Sequence, residues 1–151
     1  YIFHNDGSIP TTAATADVTI TGNATSDYFG TSLATGDLNA DGEVDLVVGA
    51  YGYSSSTGRV YVCNNDGVYP STASACELTY TGETTSSNFG QALAIGDFNF
   101  DSKLDLTVGA PSYSTNTGRI YTFMSEILAV AEPEAANLKG SFDLKGSFEL
   151  K

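Results

Sequence analysis

The sequence alternates apolar and polar residues in short segments that turn-forming residues separate. In the first well-defined group these segments span 32–36, 44–49, 59–64 and 76–81. Alternation with a period of two is typical of a β-strand that buries one face. The short connections favour antiparallel neighbours. The pattern therefore predicts an all-β protein built from small, four-stranded antiparallel sheets.

The whole pattern repeats along the chain. Residues 1–60 align with residues 61–120 without a gap, and a third copy begins at 121–124. Small antiparallel sheets at a fixed period indicate blades of a β-propeller. The chain opens on the third and fourth strands of one blade (1–4 and 17–21), builds one complete blade, and then supplies three strands of the next. We therefore expect a partial propeller, or blades that are completed between subunits.

An acidic loop joins the first two strands of each predicted blade. Oxygen-bearing side chains occupy positions one, three, five and nine of segment 37–45, and segment 97–105 repeats that spacing. Several convergent oxygens from one short segment are the ligand set that Ca²⁺ prefers. The predicted ligands are Asp37, Asn39, Asp41, Glu43 and Asp45 in the first loop and Asp97, Asn99, Asp101, Lys103 and Asp105 in the second. We expect two calcium sites, with position seven contributing its backbone carbonyl; the alternative is a pair of metal-free turns rich in Asp and Asn.

The sixth position differs between the two loops. Gly42 stands where the first loop must turn sharply, and a positive φ is expected there. Ser102 takes that place in the second loop. We therefore expect more strain, or weaker cation binding, in the second loop.

These motifs resemble the FG-GAP repeat of integrin α-subunit propellers and their relatives. Phe29-Gly30 and Phe89-Gly90 supply the first element, and Gly109-Ala110-Pro111 supplies the second. The first copy departs from the second element with Gly49-Ala50-Tyr51. The resemblance covers residues 1–124. It implies four-stranded blades that hold calcium in the loop between their first two strands, and it implies no catalytic chemistry.

Composition narrows the functional classes. The 151 residues include 18 Asp and Glu against 6 Lys and Arg, for a net charge of −12. Nucleic acid is not an expected partner, because its binding needs clustered basic residues. A charged fraction of only 16%, with abundant Thr, Ser, Gly and Tyr, is typical of an extracellular all-β protein. No apolar segment is long enough to predict a membrane-spanning helix.

Two cysteines flank a turn-rich segment. Cys63 and Cys76 each lie beside a strand-like run, with Asn64-Asn65-Asp66-Gly67 between them. A hairpin disulfide is the expected arrangement, and two buried free thiols are the alternative. A disulfide indicates an oxidising compartment, and hence a secreted or cell-surface location. Asn23 begins an Asn-Ala-Thr sequon and is a candidate glycosylation site.

The sequence offers no repeated catalytic constellation. His4 is the sole histidine and aligns with Asn64, so neither a histidine-based triad nor a zinc site is present twice. The carboxylates are better explained as cation ligands than as an acid–base pair. Tyr51, Tyr53 and Tyr113 offer contact area for a ligand, although a structural role is the simpler explanation. We therefore expect a protein that is not an enzyme.

The last two segments have a different character. Residues 125–137 have the composition of a short helix or linker interrupted by Pro133, and in 138–151 apolar or Gly positions alternate strictly with polar ones. The large apolar residues of this tail are Leu138, Phe142, Leu144, Phe148 and Leu150. An extended strand with one apolar face needs a sheet edge to cover it. We expect the tail to add to a neighbouring subunit or to the incomplete last blade; an appended or unstructured tail is the alternative.

Together these features predict an extracellular, calcium-stabilised assembly or adhesion protein. Its subunits would complete one another's blades by strand exchange, giving a ring or a filament. The alternative is a ligand-binding module, a lectin or receptor-contact fragment of a full propeller. The expected partners are further copies of the chain or further propeller blades, with a protein or glycan ligand as a second class.

Overall fold

The computed structural model describes residues 1–4, 7 and 11–125. Its strands are β1 (Ser32–Gly36), β2 (Asp45–Ala50), β3 (Arg59–Cys63), β4 (Leu78–Thr81), β5 (Ala92–Gly96), β6 (Asp105–Ala110) and β7 (Arg119–Phe123). Two 3₁₀ turns span Ala13–Thr15 and Ala73–Ala75, and two helical turns, α1 and α2, span Tyr53–Ser56 and Tyr113–Asn116. The predicted tail and, apart from Ser125, the predicted linker lie outside the described residues.

The strands form two antiparallel sheets. Blade 1 has the strand order β1-β2-β3-β4, and blade 2 has the order β5-β6-β7. Their registers correspond, since Val47 pairs with Val62 in blade 1 and Thr107 pairs with Thr122 in blade 2. Each strand of blade 1 lies within two residues of its predicted bounds. The prediction of an all-β fold made of antiparallel blades is confirmed.

The opening segment is less regular than the sequence predicts. Ile2 and Val18 form one isolated antiparallel bridge in place of the two strands expected at 1–4 and 17–21. Blade 1 has four residue pairs at the corresponding place, between β3 and β4. A two-stranded pair is marginal without further strands beside it, and the described chain provides none here. Thr21 forms a second, parallel bridge, to Thr72, which attaches this segment to the connection between β3 and β4 of blade 1.

The main core lies between the two blades. Phe89, only 1% exposed, fills the space between them, and its ring meets Tyr121 edge-on with 5.2 Å between the centroids. The other buried members are Val47, Val60, Val62, Leu106, Val108 and Ala110. Phe29, at the equivalent place in the first repeat, is half-buried and packs edge-on against Tyr61 at 5.4 Å. Both phenylalanines therefore pack against an aromatic ring of a blade, and only Phe89, which lies between the two sheets, is fully enclosed.

The helical segments are all short, and none within the described ranges is long and apolar enough to cross a membrane. α1 contains three consecutive left-handed residues, Ser54, Ser55 and Ser56, with φ of 48°, 57° and 59°. α2 repeats this conformation at 114–116, with φ of 48°, 58° and 65°. Each such residue other than Gly costs about 1–2 kcal/mol. The left-handed turns are a feature that sequence reasoning missed.

Candidate metal centre

The acidic loop of blade 1 connects β1 to β2. It begins immediately after Gly36 and ends at the first residue of β2, so the hairpin holds both ends of the loop in place. Two left-handed residues, Ala40 (φ 60°) and Gly42 (φ 92°), turn the chain back on itself. The positive φ predicted at the sixth position is confirmed. These turns bring the side chains at alternate positions toward one another.

Three predicted ligands of this loop converge. The backbone N–H of Asp41 donates to both Asp37 Oδ1 and Asn39 Oδ1, at 3.1 Å each, so these two oxygens flank one N–H group. Asn39 Nδ2 donates to Asp41 Oδ2 at 2.8 Å. The N–H groups of Gly42 and Glu43 donate to Asp37 Oδ2 and Asp41 Oδ1. Positions one, three and five are therefore brought together, as the spacing predicts.

The loop of blade 2, between β5 and β6, repeats this network. Asp101 N–H donates to Asp97 Oδ1 (3.1 Å) and Asn99 Oδ1 (3.0 Å), and Asn99 Nδ2 donates to Asp101 Oδ2 at 3.0 Å. The N–H of Ser102 donates to Asp97 Oδ2 at 2.9 Å, as Gly42 does in the first loop. Ser102 adopts the same left-handed conformation, with φ of 69°, although it carries a side chain. The expected strain is therefore present at this residue.

The ninth position has a role that the sequence alone does not show. Asp45 is completely buried, and its Oδ2 accepts the N–H of Leu38 at 2.9 Å while its Oδ1 accepts the N–H of Asn65 at 3.0 Å. Asp105 is equally buried and makes the same pair of bonds, to Phe98 and Ser125. Each carboxylate thus joins its loop to the end of the third strand. Sequence reasoning missed this because the second partner lies 20 residues away.

The donor types and spacing fit a hard divalent cation. Asp37, Asn39 and Asp41 present oxygens from one short loop, and Asp45 places a buried carboxylate at its base. Over the described ranges, no group of three or more His, Cys, Asp or Glu side chains is close enough to hold a metal ion. The loop carboxylates accept backbone N–H bonds, and one of the converging side chains is an amide. Ligation by the ten predicted residues stays a prediction.

Position seven takes part through its backbone. The N–H of Glu43 donates to Asp41 Oδ1 at 2.8 Å, and the N–H of Lys103 donates to Asp101 Oδ1 at 2.9 Å. Because the contact uses only the main chain, an acidic and a basic side chain give the same loop geometry. The predicted ligation by the carbonyl of this residue is not tested by these contacts.

Tyr69 lies outside the acidic loop of blade 1 and stabilises it by a hydrogen bond. Its hydroxyl donates to the backbone carbonyl of Val44. Burial raises the pKa of this hydroxyl above its ordinary value, and the nearby carboxylates of Asp45 and Glu43 add to the increase. The group therefore stays protonated, and able to donate, over the whole neutral range.

The other predicted site residues lie outside the loops. Cys63 and Cys76 form a disulfide with an S–S distance of 2.01 Å, as predicted. Asn23 is exposed, and its Nδ2 lies 3.4 Å from the hydroxyl of Tyr61. The predicted assembly strand of the tail, at 138–151, lies outside the described residues.

An arginine–tyrosine stack that sequence reasoning missed lies beside each left-handed turn. The Arg59 guanidinium lies 3.7 Å from the ring centre of Tyr53, and Arg119 lies 3.8 Å from that of Tyr113. Arg119 also pairs with Glu83 at 2.9 Å. Such contacts favour a stacked arginine over a solvated one. The recurrence of Tyr-x₅-Arg at both sites was the signal available in the sequence.

A match to a protein-family profile shows whether the resemblance to FG-GAP repeats reflects a family relationship. The FG-GAP repeat matches at residues 29–63 and again at 89–123, which are the segments that run from each Phe-Gly through the third strand of each blade. The chain belongs to the FG-GAP repeat proteins. The resemblance seen in the sequence is confirmed, and the two FG-GAP repeats are the two blades.

Curated relatives of this FG-GAP chain include much larger proteins. It is 41% identical over 108 residues to phosphatidylinositol-glycan-specific phospholipase D of Rattus norvegicus, a match that covers 63% of the chain and 13% of the relative. It is 40% identical over 102 residues to integrin alpha-X of Mus musculus (64% and 9%), and 35% identical over 129 residues to integrin alpha-7 of Rattus norvegicus (82% and 11%). The matched region therefore spans about a tenth of the length of these relatives.

Proposed function

We propose that this chain is a calcium-binding adhesion or assembly module of an extracellular protein. The observation that carries the proposal is the duplicated loop, in which the same three side chains converge in both blades. Each loop carries carboxylates at its first and fifth positions, and in both loops they accept main-chain N–H groups of the same turn. A divalent cation held by Asp37 and Asp41, and another held by Asp97 and Asp101, would offset the concentrated negative charge.

The charge balance supports cation binding. The net charge of −12 would fall to −8 with two Ca²⁺ bound, because they carry four positive charges. Bound calcium would hold each β-hairpin closed at the rim of its blade. Its role is structural, and we propose no catalytic chemistry for the FG-GAP module itself.

The extracellular location is supported by the disulfide. Cys63–Cys76 closes a turn between the third and fourth strands of blade 1, and such bonds persist in oxidising compartments. The integrin alpha chains among the relatives fit the same proposal. Asn23, exposed within a sequon, is accessible for glycosylation in a eukaryotic secretory pathway.

Assembly is supported by the difference in strand number. β7 has a strand neighbour on one side only among the described residues, whereas its counterpart β3 pairs with both β2 and β4. An open sheet edge with free N–H and C=O groups is a site for adding a strand. We propose that a further blade or a further copy of the chain supplies that strand, in a ring or a filament.

A ligand-binding function is the second candidate, and one aromatic pair favours it. The rings of Tyr28 and Tyr51 stack with 5.0 Å between their centroids and 2° between their planes. Tyr28 is 57% exposed, so this pair forms an apolar platform beside the left-handed turn of blade 1. Such a surface suits a protein or glycan ligand. Blade 2 has Asn88 and Pro111 at the equivalent positions, so the platform is confined to blade 1.

The test of the calcium proposal is thermal unfolding with calcium and with a chelator. A ligand that binds only the native state, at a free concentration 100 times its Kd, raises the free energy of unfolding by about 2.7 kcal/mol. Asp41→Ala should remove the calcium-dependent stabilisation that the loop of blade 1 contributes, and Asp101→Ala should remove that of the loop of blade 2. The double variant should lose both contributions. Asp66→Ala, an exposed acid outside the loops, is the matched control and should respond like the unmodified chain. Equal calcium responses of the double variant and the control would contradict the proposal.

A further inference from the structure

The contact between the two blades shows how one blade receives the next. The main chain at Phe89–Gly90 lies in a groove of blade 1 that two glycines keep open. A Cβ atom at Gly49 would lie 2.1 Å from the Gly90 carbonyl oxygen, and one at Gly58 would lie 2.0 Å from the Phe89 carbonyl oxygen. Only a residue without a side chain fits at either place. Val60, which pairs with Gly49 across β2 and β3 and lies against Gly90, is completely buried.

The left-handed turn of blade 1 is part of the same contact. The carbonyls of Ser55 and Ser56 accept the N–H groups of Ser86 (3.0 Å) and Asn88 (2.9 Å), which lead into blade 2. Two hydrogen bonds to the incoming chain therefore offset part of the cost of the three left-handed residues. Gly82 N–H adds a third such bond, to the carbonyl of Gly58 at 3.0 Å.

Blade 2 has the same groove, and it is open. This Gly109 groove has a volume of about 600 Å³, and its lining includes Ala92, Gly109, Gly118 and Ile120. A Cβ atom at Gly109 would meet nothing closer than the side chain of Ala92, at 3.3 Å. Ile120, the counterpart of Val60, is 75% exposed. Every feature that receives Phe89–Gly90 in blade 1 thus recurs in blade 2 without an occupant among the described residues.

We propose that the Gly109 groove receives Phe29–Gly30 of a second copy of this chain. The segment that leads into blade 1 already has the required shape: Ser26, Tyr28 and Gly30 have φ of 66°, 54° and 91°, against 59°, 54° and 88° at positions 86, 88 and 90. The N–H groups at 26 and 28 would then bond to the carbonyls of Thr115 and Asn116 in the α2 turn.

The same placement supplies the fourth strand that blade 2 lacks among the described residues. Residues 17–21 of the second copy correspond to 77–81, which contain β4, and would pair with β7 as β4 pairs with β3. Among the described residues this segment makes two isolated bridges, from Val18 to Ile2 and from Thr21 to Thr72, and the change of partner replaces the bridge to Ile2. This inference rests on the proposed assembly function and names its surface. The contact is head-to-tail, so it can propagate from copy to copy.

The side chains on the outer face of blade 2 determine how strongly two copies of the chain associate. Val47 and Val62, which face blade 2, are replaced in blade 2 by Thr107 and Thr122. The two threonine hydroxyls lie 3.1 Å apart and form one hydrogen bond, so each has a polar partner if this face is covered. Thr keeps the shape of Val but buries less apolar surface. The contact between copies is therefore weaker than the contact between the blades of one chain.

Sedimentation velocity of the full chain in calcium, from micromolar to millimolar concentration, tests the proposal. We expect concentration-dependent association that Gly109→Ala weakens by about tenfold or more, because an added methyl group overpacks a closed contact. Ile120→Lys should weaken it similarly, whereas Val68→Lys, at an 83% exposed residue, should not. Thr107→Val with Thr122→Val should strengthen it. Unchanged unfolding temperatures of Gly109→Ala and Ile120→Lys would show that both variants are folded.

Two results would overturn the proposal. The first is a monomer at every concentration, and the second is association that both Gly109→Ala and Ile120→Lys leave intact. If the chain is a monomer, slow solvent exchange of the β7 amides would assign the edge to the chain's own tail. Calcium-dependent unfolding of the same samples separates the two proposals: its loss contradicts the calcium sites, and loss of association alone contradicts the Gly109 groove.

Discussion

The two blades share one strand register and one set of loop hydrogen bonds, yet their outer faces differ. Val60 is completely buried beneath the chain that leads into blade 2, whereas Ile120 at the same position is 75% exposed. Gly49 is buried against the carbonyl of Gly90, while Gly109 borders an open groove. One repeat motif therefore gives a closed or an open blade, depending on whether another blade packs against its outer face. Local sequence determines the loop, and the neighbouring blade determines burial.

Blade 1 also has supports that blade 2 lacks among the described residues. The Cys63–Cys76 disulfide and the Tyr69 contact to Val44 both attach the segment after β3 to the rest of the blade. Blade 2 has Phe123 in place of the first cysteine. We therefore expect blade 1 to be the more stable half, and substitutions at equivalent positions of the two blades can test that difference.

The largest expected effect separates two equivalent glycines. Gly49→Ala should destabilise the fold by about 4 kcal/mol, because its Cβ would overlap the Gly90 carbonyl oxygen and Ser32 Oγ, at 2.1 and 2.0 Å. Gly109→Ala, with only a 3.3 Å contact, should change the free energy of unfolding of the monomer by less than about 1 kcal/mol. Urea unfolding at low protein concentration measures both. Similar costs at the two positions would mean that the grooves are equally filled.

The next effect concerns the disulfide of blade 1. Cys63→Ala with Cys76→Ala should cost about 3 kcal/mol, because the bond restricts the unfolded chain. Hydrogen exchange should show the loss at β3 and β4, with β6 and β7 little changed. An equal rise in exchange across both blades would indicate that they unfold as one unit.

A smaller and equal effect is expected at the two buried carboxylates. Asp45→Asn and Asp105→Asn each replace an oxygen that accepts a backbone N–H by an amide NH₂, which cannot accept it. Each should cost about 2 kcal/mol in calcium-free buffer, the penalty for an unsatisfied buried donor. Thermal or urea unfolding of the two variants gives the comparison. A clear difference between them would show that the loops are not equivalent, contrary to their matched hydrogen bonds.

The smallest expected effect is an increase in stability from a substitution in blade 2. Ser102→Gly should stabilise the fold by about 1 kcal/mol, because Ser102 has φ of 69° and glycine adopts that conformation without strain. It should also strengthen calcium binding at the second loop. Gly42→Ser is the reciprocal variant and should weaken the first loop by a similar amount. Unfolding with and without calcium measures both, and no change in either variant would contradict the strain argument.

Much of this fold was predictable because its signals are local. Strand alternation, the Asp-rich loop and the Gly42 turn each depend on a few neighbouring residues, and the repeat shows them twice. The missed features depend on distant contacts. Asp45 bonds to the N–H of Asn65, and Gly49 touches Gly90, so neither role can be read from the adjacent sequence. The left-handed turns were missed because no glycine marks them.

The opening segment shows that a local sequence signal can also predict strands that do not form in full. The sequence predicts strands at 1–4 and 17–21 from their correspondence to β3 and β4, but only Ile2 and Val18 pair. A repeat motif specifies which segments are able to pair, while neighbouring strands decide whether the pairing extends. That dependence on neighbours also underlies the difference between the outer faces of the two blades.

The most direct test of the central claim is a calorimetric titration of the chain with calcium, after removal of bound cations. The account predicts two bound ions per chain, reduced to one in either Asp41→Ala or Asp101→Ala, with the weaker site lost in Asp101→Ala. No heat of binding, or a stoichiometry that neither substitution changes, would contradict the assignment of calcium to the two loops.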